Sequence, residues 1–210
     1  MIQRWASGLK RWWLLYHLGD PRFGFMWDPP PPDEWVALDC ETTGLDVRRD
    51  EIVAIAAVRI EGNRVRTSER LELLVRPEHR PVSAASVRVH GLRESDVAQG
   101  TPPADAMQRL MRFIGSRPLV GYHLAFDVAM IDRVLFPMLG MGLPQKKIEV
   151  AALYYDCRNR RRPLHERGGE MDLRFDTIMR ELDLPQRPAH DPLNDAVMAA
   201  LAFIKLRALG

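Results

Sequence analysis

The chain has 210 residues, which is long enough for one well-buried domain with an appendage but short for two full domains. The hydrophobic share of 46% and the charged share of 28% are those of an ordinary globular protein. A net charge of +2 excludes a polycation, so any attraction to nucleic acid must come from local clusters of charge.

The chain starts with an amphipathic arm and a proline linker. Residues 28–33 contain four consecutive prolines, which is typical of a stiff extended linker. We therefore divide the chain into an arm with its linker, residues 1–33, and a main domain, residues 34–210. The arm has a stripe of large apolar residues at helical spacing, formed by Trp5, Leu9, Trp12, Trp13 and Tyr16.

Three surfaces could cover this stripe, because side chains of this size are unfavourable in water. They are the back of its own domain, a protein partner or second copy of the chain, and a membrane interface. Arg4, Lys10 and Arg11 form only a thin basic face, which disfavours the membrane.

After the linker, strand and helix patterns alternate, which indicates an α/β domain. Strands are predicted at residues 35–39, 52–60, 64–75 and 119–121. Helices are predicted at residues 104–114, 124–139, 175–182 and 192–209. Residues 158–169 are rich in arginine and glycine and are predicted to form a loop. Its arginines either grip a phosphate backbone or are simply solvated.

The two cysteines, Cys40 and Cys157, provide no disulfide framework and no zinc-ligand spacing. No apolar run approaches the roughly 20 residues that a membrane-spanning helix needs. Residues 1–19 lack the long apolar core and cleavage site of a secretory signal. The sequence therefore predicts a cytoplasmic protein without a transmembrane segment.

Two acids lie at the end of the first predicted strand. Asp39 and Glu41 are two residues apart, so their side chains share a face, and they repel each other unless a cation lies between them. Thr42 and Thr43 come next, followed by Gly44, where the backbone could approach a ligand closely. The alternative interpretation is an exposed strand end with a polar turn.

A third acid, Asp127, borders the apolar stripe of the helix at residues 124–139. A carboxylate beside a buried face needs a partner, and either a metal ion or an arginine would serve. A fourth acid, Asp195, is predicted in the first turn of the last helix, where Asp191 followed by Pro192 forms an N-cap. His190 lies on the loop just before it, and is either a base near neutral pH or a surface residue.

Together these motifs resemble the DEDD superfamily of 3′→5′ exonucleases, in its histidine branch (DEDDh). The matching elements are D-C-E-T-T-G-L at residues 39–45, V-H-G-L at 89–92, F-D at 126–127 and H-x4-D at 190–195. The first of them looks most like the proofreading epsilon subunit of bacterial DNA polymerase III. The resemblance covers roughly residues 34–209 and implies an RNase H-like fold, with a mixed sheet of about five strands flanked by helices.

The resemblance also implies an activity, namely two-metal-ion hydrolysis that releases nucleoside monophosphates from single-stranded DNA ends. Asp39, Glu41, Asp127 and Asp195 would hold two divalent ions, and His190 would take the proton from the attacking water. Oxygen ligands favour Mg²⁺ or Mn²⁺. The residues implied in substrate binding are Thr42, Thr43, Gly44, Leu45, His90, His123 and Phe126.

The sequence departs from the family pattern at three places. His123 replaces an asparagine of the usual H-N-A-x-F-D motif, and it either contacts a substrate phosphate or packs. Ala85 replaces an acid that helps hold substrate in the polymerase subunit. No segment like the polymerase-binding one follows Asp195, so a free-standing nuclease is expected, with the arm as the site of a protein partner or of self-association.

Two rival functions remain at this point. The same site cuts both polymers, so an RNA 3′-end trimming exonuclease is the first alternative, and a 2′-hydroxyl sensor cannot be picked out from one sequence. A catalytically inactive nucleic-acid-binding module is the second alternative. The intact set of four acids and one histidine argues against it.

Overall fold

A five-stranded mixed sheet forms the centre of the protein in this computed structural model, which describes residues 16–209. The strands lie in the order β3-β2-β1-β4-β5. Their bounds are Glu34–Thr42 for β1, Ile52–Glu61 for β2, Arg64–Leu74 for β3, Leu119–Gly121 for β4 and Lys147–Glu149 for β5. The predicted α/β class and mixed sheet are confirmed.

The directions of the strands determine where the predicted site residues come together. β1 pairs antiparallel with β2, and β2 antiparallel with β3, whereas β1, β4 and β5 are parallel to one another. The carboxyl ends of three strands therefore meet at one edge of the sheet, as they do in binding crevices of open α/β sheets. Side chains that follow β1, β4 and β5 in sequence are brought together there.

Helices cover both faces of the sheet. The helices are Ala84–His90 (α1), Glu94–Val97 (α2), Pro103–Ile114 (α3), Leu124–Leu139 (α4), Val150–Arg161 (α5), Phe175–Glu181 (α6) and Pro192–Leu209 (α7). One hydrophobic core joins the sheet to α3 and α4, and a second joins it to α5, α6 and α7. Along β1 the side chains alternate between these cores, since Leu38 lies in the first and Ala37 in the second.

The predicted elements agree closely with the observed ones, with one clear error. Helices α4 and α7 and strand β4 have the predicted bounds, whereas β5 and helices α1, α2 and α5 were not predicted. The prediction of a loop at residues 158–169 is wrong for its first four residues, which form the last turn of α5. β5 has only three residues, too few for a detectable alternation.

The arginines of this segment are engaged with the protein itself. Arg158 pairs with Glu181 at 2.8 Å, and Arg161 donates to the Leu209 carbonyl at 2.7 Å. Arg167 donates to the backbone carbonyls of Arg160 and Arg162 at 3.0 and 3.2 Å. These contacts fix the end of α5 and the loop that follows it.

The described part of the arm belongs to the domain core. A 3-10 helix, Pro21–Trp27, follows the N-cap Asp20 and buries Phe23 and Met26 against the core that contains α3 and α4. Of the predicted stripe, Tyr16 is 75% exposed, and the other four members lie outside the described residues. The partner or self-association through the arm therefore stays a prediction.

No helix within residues 16–209 combines the length and the apolar character needed to cross a bilayer. The predicted absence of a transmembrane segment holds for this part of the chain. The cytoplasmic location stays a prediction.

We expect Phe23→Ala to lower the free energy of unfolding by about 3–5 kcal/mol, because it empties a core position that is 2% exposed. Phe136→Ala on α4 is the matched control, since Phe136 is 63% exposed, and it should change stability by less than about 0.5 kcal/mol. Urea unfolding would measure both. Equal losses in the two variants would contradict the placement of the 3-10 helix in the core.

Candidate active site

Three of the predicted acids lie at the edge where parallel strands end. Asp39 and Glu41 follow Ala37 on the same face of β1, which is the face covered by α7. Asp127 lies in the first turn of α4, directly after β4, and is buried. Because β1 and β4 are adjacent and parallel, the two segments are neighbours at their carboxyl ends.

The start of α7 brings the fourth acid to the same edge. Asp191 caps the helix, since its carboxylate accepts a hydrogen bond from the Asn194 backbone N–H at 2.9 Å, as predicted. Asp195, in the first turn, accepts a hydrogen bond from the His190 backbone N–H at 2.8 Å. His190 has a left-handed backbone, with φ 64°, so this hydrogen bond stabilises a conformation that costs energy outside glycine.

The structure gathers these residues in one cleft of ≈ 820 Å³. Glu41, His190 and Asp195 each place a potential ligand atom within 4.8 Å of the other two. Asp39 and Asp127 line the same cleft. All five residues of the predicted catalytic set therefore share one cavity.

Burial and mutual repulsion dominate the electrostatics of the four acids. Burial, followed by the charges of Asp127 and Asp195, raises the pKa of Asp39 well above its ordinary value. Burial likewise raises the pKa of Asp127, although a hydrogen bond from the Cys40 backbone amide opposes the shift. Burial and the charges of Asp195 and Asp191 raise the pKa of Glu41 to about 7. The groups within residues 16–209 do not compensate the charges of these carboxylates.

A divalent cation fits this donor set. Carboxylate oxygens are the ligands that Mg²⁺ and Mn²⁺ prefer, and a positive ion removes the repulsion that raises the pKa values. The imidazole of His190 is close enough to Glu41 and Asp195 to act either as a further ligand or as a base beside the ion.

The segment at the end of β1 that was predicted to bind substrate, residues 42–45, is held in place by hydrogen bonds to Asp50 and Glu51. The Thr43 hydroxyl donates to the Asp50 carboxylate at 3.1 Å, and the Glu51 backbone N–H donates to the Thr43 hydroxyl at 3.0 Å. A Cβ at Gly44 would lie 2.5 Å from Asp50 Oδ2, so the close approach made at this glycine is to Asp50. Of the predicted group, Thr42 and the 86%-exposed Leu45 line the cleft itself.

His90 is fixed behind this strand end. Its Nδ1 accepts a hydrogen bond from the Leu92 backbone N–H at 3.1 Å. The neutral ring therefore carries its proton on Nε2, which donates to the Thr42 carbonyl at 3.3 Å. His90 lines an adjoining cavity of ≈ 280 Å³ together with His190 and Asp191.

His123 and Phe126 also line the cleft. His123 lies outside helix α4, as its N-cap, with φ 56°. Because the helix begins at Leu124, His123 does not share a helical face with Asp127. The ring of His123 lies 4.3 Å from that of Tyr122, centroid to centroid.

Glu149 is an acidic cleft residue that the sequence analysis did not identify. The Glu149 carboxylate accepts hydrogen bonds from the backbone N–H groups of His123 and Leu124 at 3.1 and 2.9 Å. It also accepts one from Ala151, at the start of its own helix, at 3.2 Å. Glu149 therefore caps both α4 and α5 and orients the turn that carries Asp127. A glutamate before an apolar helix is a cap signal, but the partner helix cannot be identified from sequence.

The comparisons with known proteins agree with this geometry. The model of the family RNase_T, described as "Exonuclease", matches residues 36–203. The chain belongs to the RNase_T exonuclease family. The predicted superfamily, an exonuclease enzyme of the DEDD type, is confirmed.

Curated relatives of this RNase_T domain include proteins named after DNA polymerase III. A "DNA polymerase III subunit epsilon-like protein" of Rhodobacter capsulatus is 31% identical over 176 residues, which cover 82% of this chain and 23% of the relative. A "DNA polymerase III PolC-type" of Bacillus subtilis is 28% identical over 179 residues, covering 83% of this chain and 11% of the relative. The chain thus spans less than a quarter of these relatives' length.

Solved structures show the same fold. Exonuclease I of E. coli, in complex with a dA16 oligonucleotide, matches with a TM-score of 0.71 at 15% identity over 84% of this chain and 41% of that chain. The cell-death related nuclease CRN-4 matches with a TM-score of 0.69 at 15% identity over 85% of this chain and 64% of that one. The predicted RNase H-like fold of the RNase_T domain is confirmed.

Without metal, we expect the protein to lose stability as the pH rises from about 4.5 to about 7. The folded state raises the pKa of Glu41 from 4.5 to about 7, so it binds this proton more tightly than the unfolded chain does, and the stabilisation is lost on deprotonation. Glu41→Gln should weaken the dependence of stability on pH. It should also raise the metal-free melting temperature at pH 8, by about 2–4 °C for each kcal/mol of carboxylate repulsion that it removes.

The matched control for this prediction is Glu170→Gln, at an exposed position outside the cleft. Melting temperatures of the three proteins in EDTA, from pH 4.5 to pH 8, would provide the comparison. A parallel pH profile for wild type and Glu41→Gln would show that Glu41 does not carry the destabilisation.

Proposed function

We propose that the chain is a metal-dependent 3′→5′ exonuclease that releases nucleoside monophosphates from single-stranded DNA ends. The observation that carries the proposal is the convergence of four carboxylates and His190 in one cleft at the carboxyl ends of parallel strands. The matched exonuclease I structures were solved with oligonucleotides such as dA16 and dT13, which supports single-stranded DNA as the substrate class.

In this proposal Asp39, Glu41, Asp127 and Asp195 hold two divalent ions, Mg²⁺ or Mn²⁺. When bound, such ions activate water and stabilise the charge that develops on the attacking and leaving oxygens. The raised pKa values of the four acids support this assignment, because buried carboxylates that repel one another bind a cation favourably.

His190 accepts the proton of the attacking water at a ring nitrogen. Its side chain is exposed on the loop before α7, so water can reach it, and its backbone is held by Asp195. Asp195 thus positions the base as well as contributing a carboxylate to the ion site. Thr42, Leu45 and Phe126 lie along the cleft where they can contact the terminal nucleotide, and His90 and Thr43 keep that strand end in place.

Purified protein with Mg²⁺ should convert a 5′-labelled single-stranded DNA oligonucleotide into a ladder of shorter products. Asp195→Asn should slow this by about 1,000-fold or more, since metal-ion catalysis is worth several kcal/mol and about 1.36 kcal/mol is a factor of ten. A ladder on an RNA oligonucleotide alone would replace the proposal with RNA 3′-end trimming. Binding of both polymers without cleavage would leave a nucleic-acid-binding module.

His190→Ala should reduce the single-turnover rate by about 10²–10⁴-fold, the usual effect of removing a general base, while Mn²⁺ affinity stays close to that of wild type. Calorimetric Mn²⁺ titration beside rapid-quench kinetics separates the two effects. His165→Ala, at an exposed histidine outside the cleft, is the control for both measurements. An equal loss of Mn²⁺ affinity in His190→Ala would make His190 a metal ligand.

A further inference from the structure

Two aromatic rings, Tyr122 and Phe175, form one side of the cleft, and we call them the aromatic wall. Their planes are nearly parallel, at 11°, and their centroids lie 4.5 Å apart. Each ring is half-buried, so part of its surface remains open to the cleft. Neither residue belongs to the catalytic set, and the proposed contacts to the terminal nucleotide do not use them.

The aromatic wall is held rigidly. The Tyr122 hydroxyl donates to the Leu173 carbonyl at 3.0 Å, which ties the end of β4 to the segment before α6. That segment is itself ordered, because the Asp172 carboxylate accepts hydrogen bonds from Thr177 at 2.9 Å and from Arg174. A rigid ring pair loses little conformational entropy when a planar ligand stacks on it.

The charge of the cleft favours contacts to bases over contacts to phosphates. Its lining residues all lie in the described part of the chain and include no lysine or arginine, whereas four catalytic carboxylates and Glu149 line it. Phosphate groups away from bound cations therefore meet a negative surface. Base stacking on aromatic rings does not depend on charge and accepts every base.

The cleft also has room for more than one nucleotide. Its ≈ 820 Å³ lies toward the upper end of the range of about 300–1,000 Å³ that is usual for small-molecule sites. The exposed Leu45 follows β1 and the exposed Val89 lies in α1, whereas Tyr122 of the aromatic wall follows β4 and Phe175 begins α6. If the terminal nucleotide lies beside Leu45, the aromatic wall remains accessible to the next nucleotide of the strand.

We propose that the aromatic wall stacks the base of the second nucleotide from the 3′ end, and so makes the enzyme select single strands longer than one nucleotide. This inference rests on the proposed exonuclease function. A base can reach the wall only when it is unpaired and turned out of a helix, which is the condition of a single-stranded end.

The test combines a protein variant with base removal along the substrate. Phe175→Leu keeps an apolar side chain and removes the ring. Single-turnover kcat/KM is measured on oligothymidylates with an abasic site at the second, third or fourth position from the 3′ end. The reference substrates are the intact oligothymidylate and the p-nitrophenyl ester of thymidine 5′-monophosphate. We compare kcat/KM for the intact oligothymidylate with kcat/KM for the ester. We expect Phe175→Leu to lower the ratio of these two values by about tenfold.

Removal of the second base from the substrate should lower wild-type kcat/KM by a similar factor, and Phe175→Leu should add little to that loss. Such non-additivity identifies a direct contact, whereas a merely structural defect lowers the rate on every substrate equally. Phe136→Leu, at an exposed ring on α4 outside the cleft, is the matched control and should leave all ratios unchanged.

Additive losses at the second position, or coupling at the third or fourth position, would overturn the assignment of the aromatic wall. Failure of the wild-type protein to cleave any of the substrates, the ester included, would instead overturn the proposed exonuclease function. Tyr122→Phe retains the ring and removes the hydrogen bond to Leu173. If the wall acts by stacking, this variant should show the same coupling pattern as wild type.

Discussion

Repulsion among buried carboxylates is the constraint around which the active-site end of this protein is organised. The ends of β1 and β4 and the start of α7 bring four acids into one cleft, and burial raises the pKa of each of them. A fold that pays this electrostatic cost must stabilise the surrounding segments by other means. The two hydrophobic cores, one on each face of the sheet, supply that stability.

Backbone amides at the same edge of the sheet are satisfied by acids outside the catalytic set. Glu149 caps α4 and α5, and Asp191 caps α7. Glu51 accepts hydrogen bonds from three successive backbone N–H groups, at residues 78–80. Glu149 and Asp191 thereby fix the turns that carry Asp127 and Asp195, and Glu51 holds residues 78–80 against the start of β2. The charges of Glu149 and Asp191 lie at helix N-termini, where the helix dipole favours them.

Charge and apolar surface are divided within the cleft. The acids lie at strand ends and helix starts, and apolar side chains, including the exposed Leu45 and the half-buried Phe126 and Phe175, line the sides. Of the arginines for which phosphate contact and solvation were both open, Arg162 and Arg167 donate hydrogen bonds to backbone carbonyls of their own segment. A nucleic acid in this cleft would therefore be recognised by its bases and by phosphates that contact metal ions.

The sequence by itself determined the local chemistry: the D-x-E pair, the acid after β4, the Asp191 cap, and the bounds of α4 and α7. Each of these depends on spacing or capping along one segment, which periodicity reveals. Only the tertiary structure decided which neighbours these segments meet. The double cap of Glu149, the Tyr122–Phe175 stack and the burial of Phe23 join residues far apart in the chain. Such contacts depend on strand order and helix packing, and no local pattern encodes them.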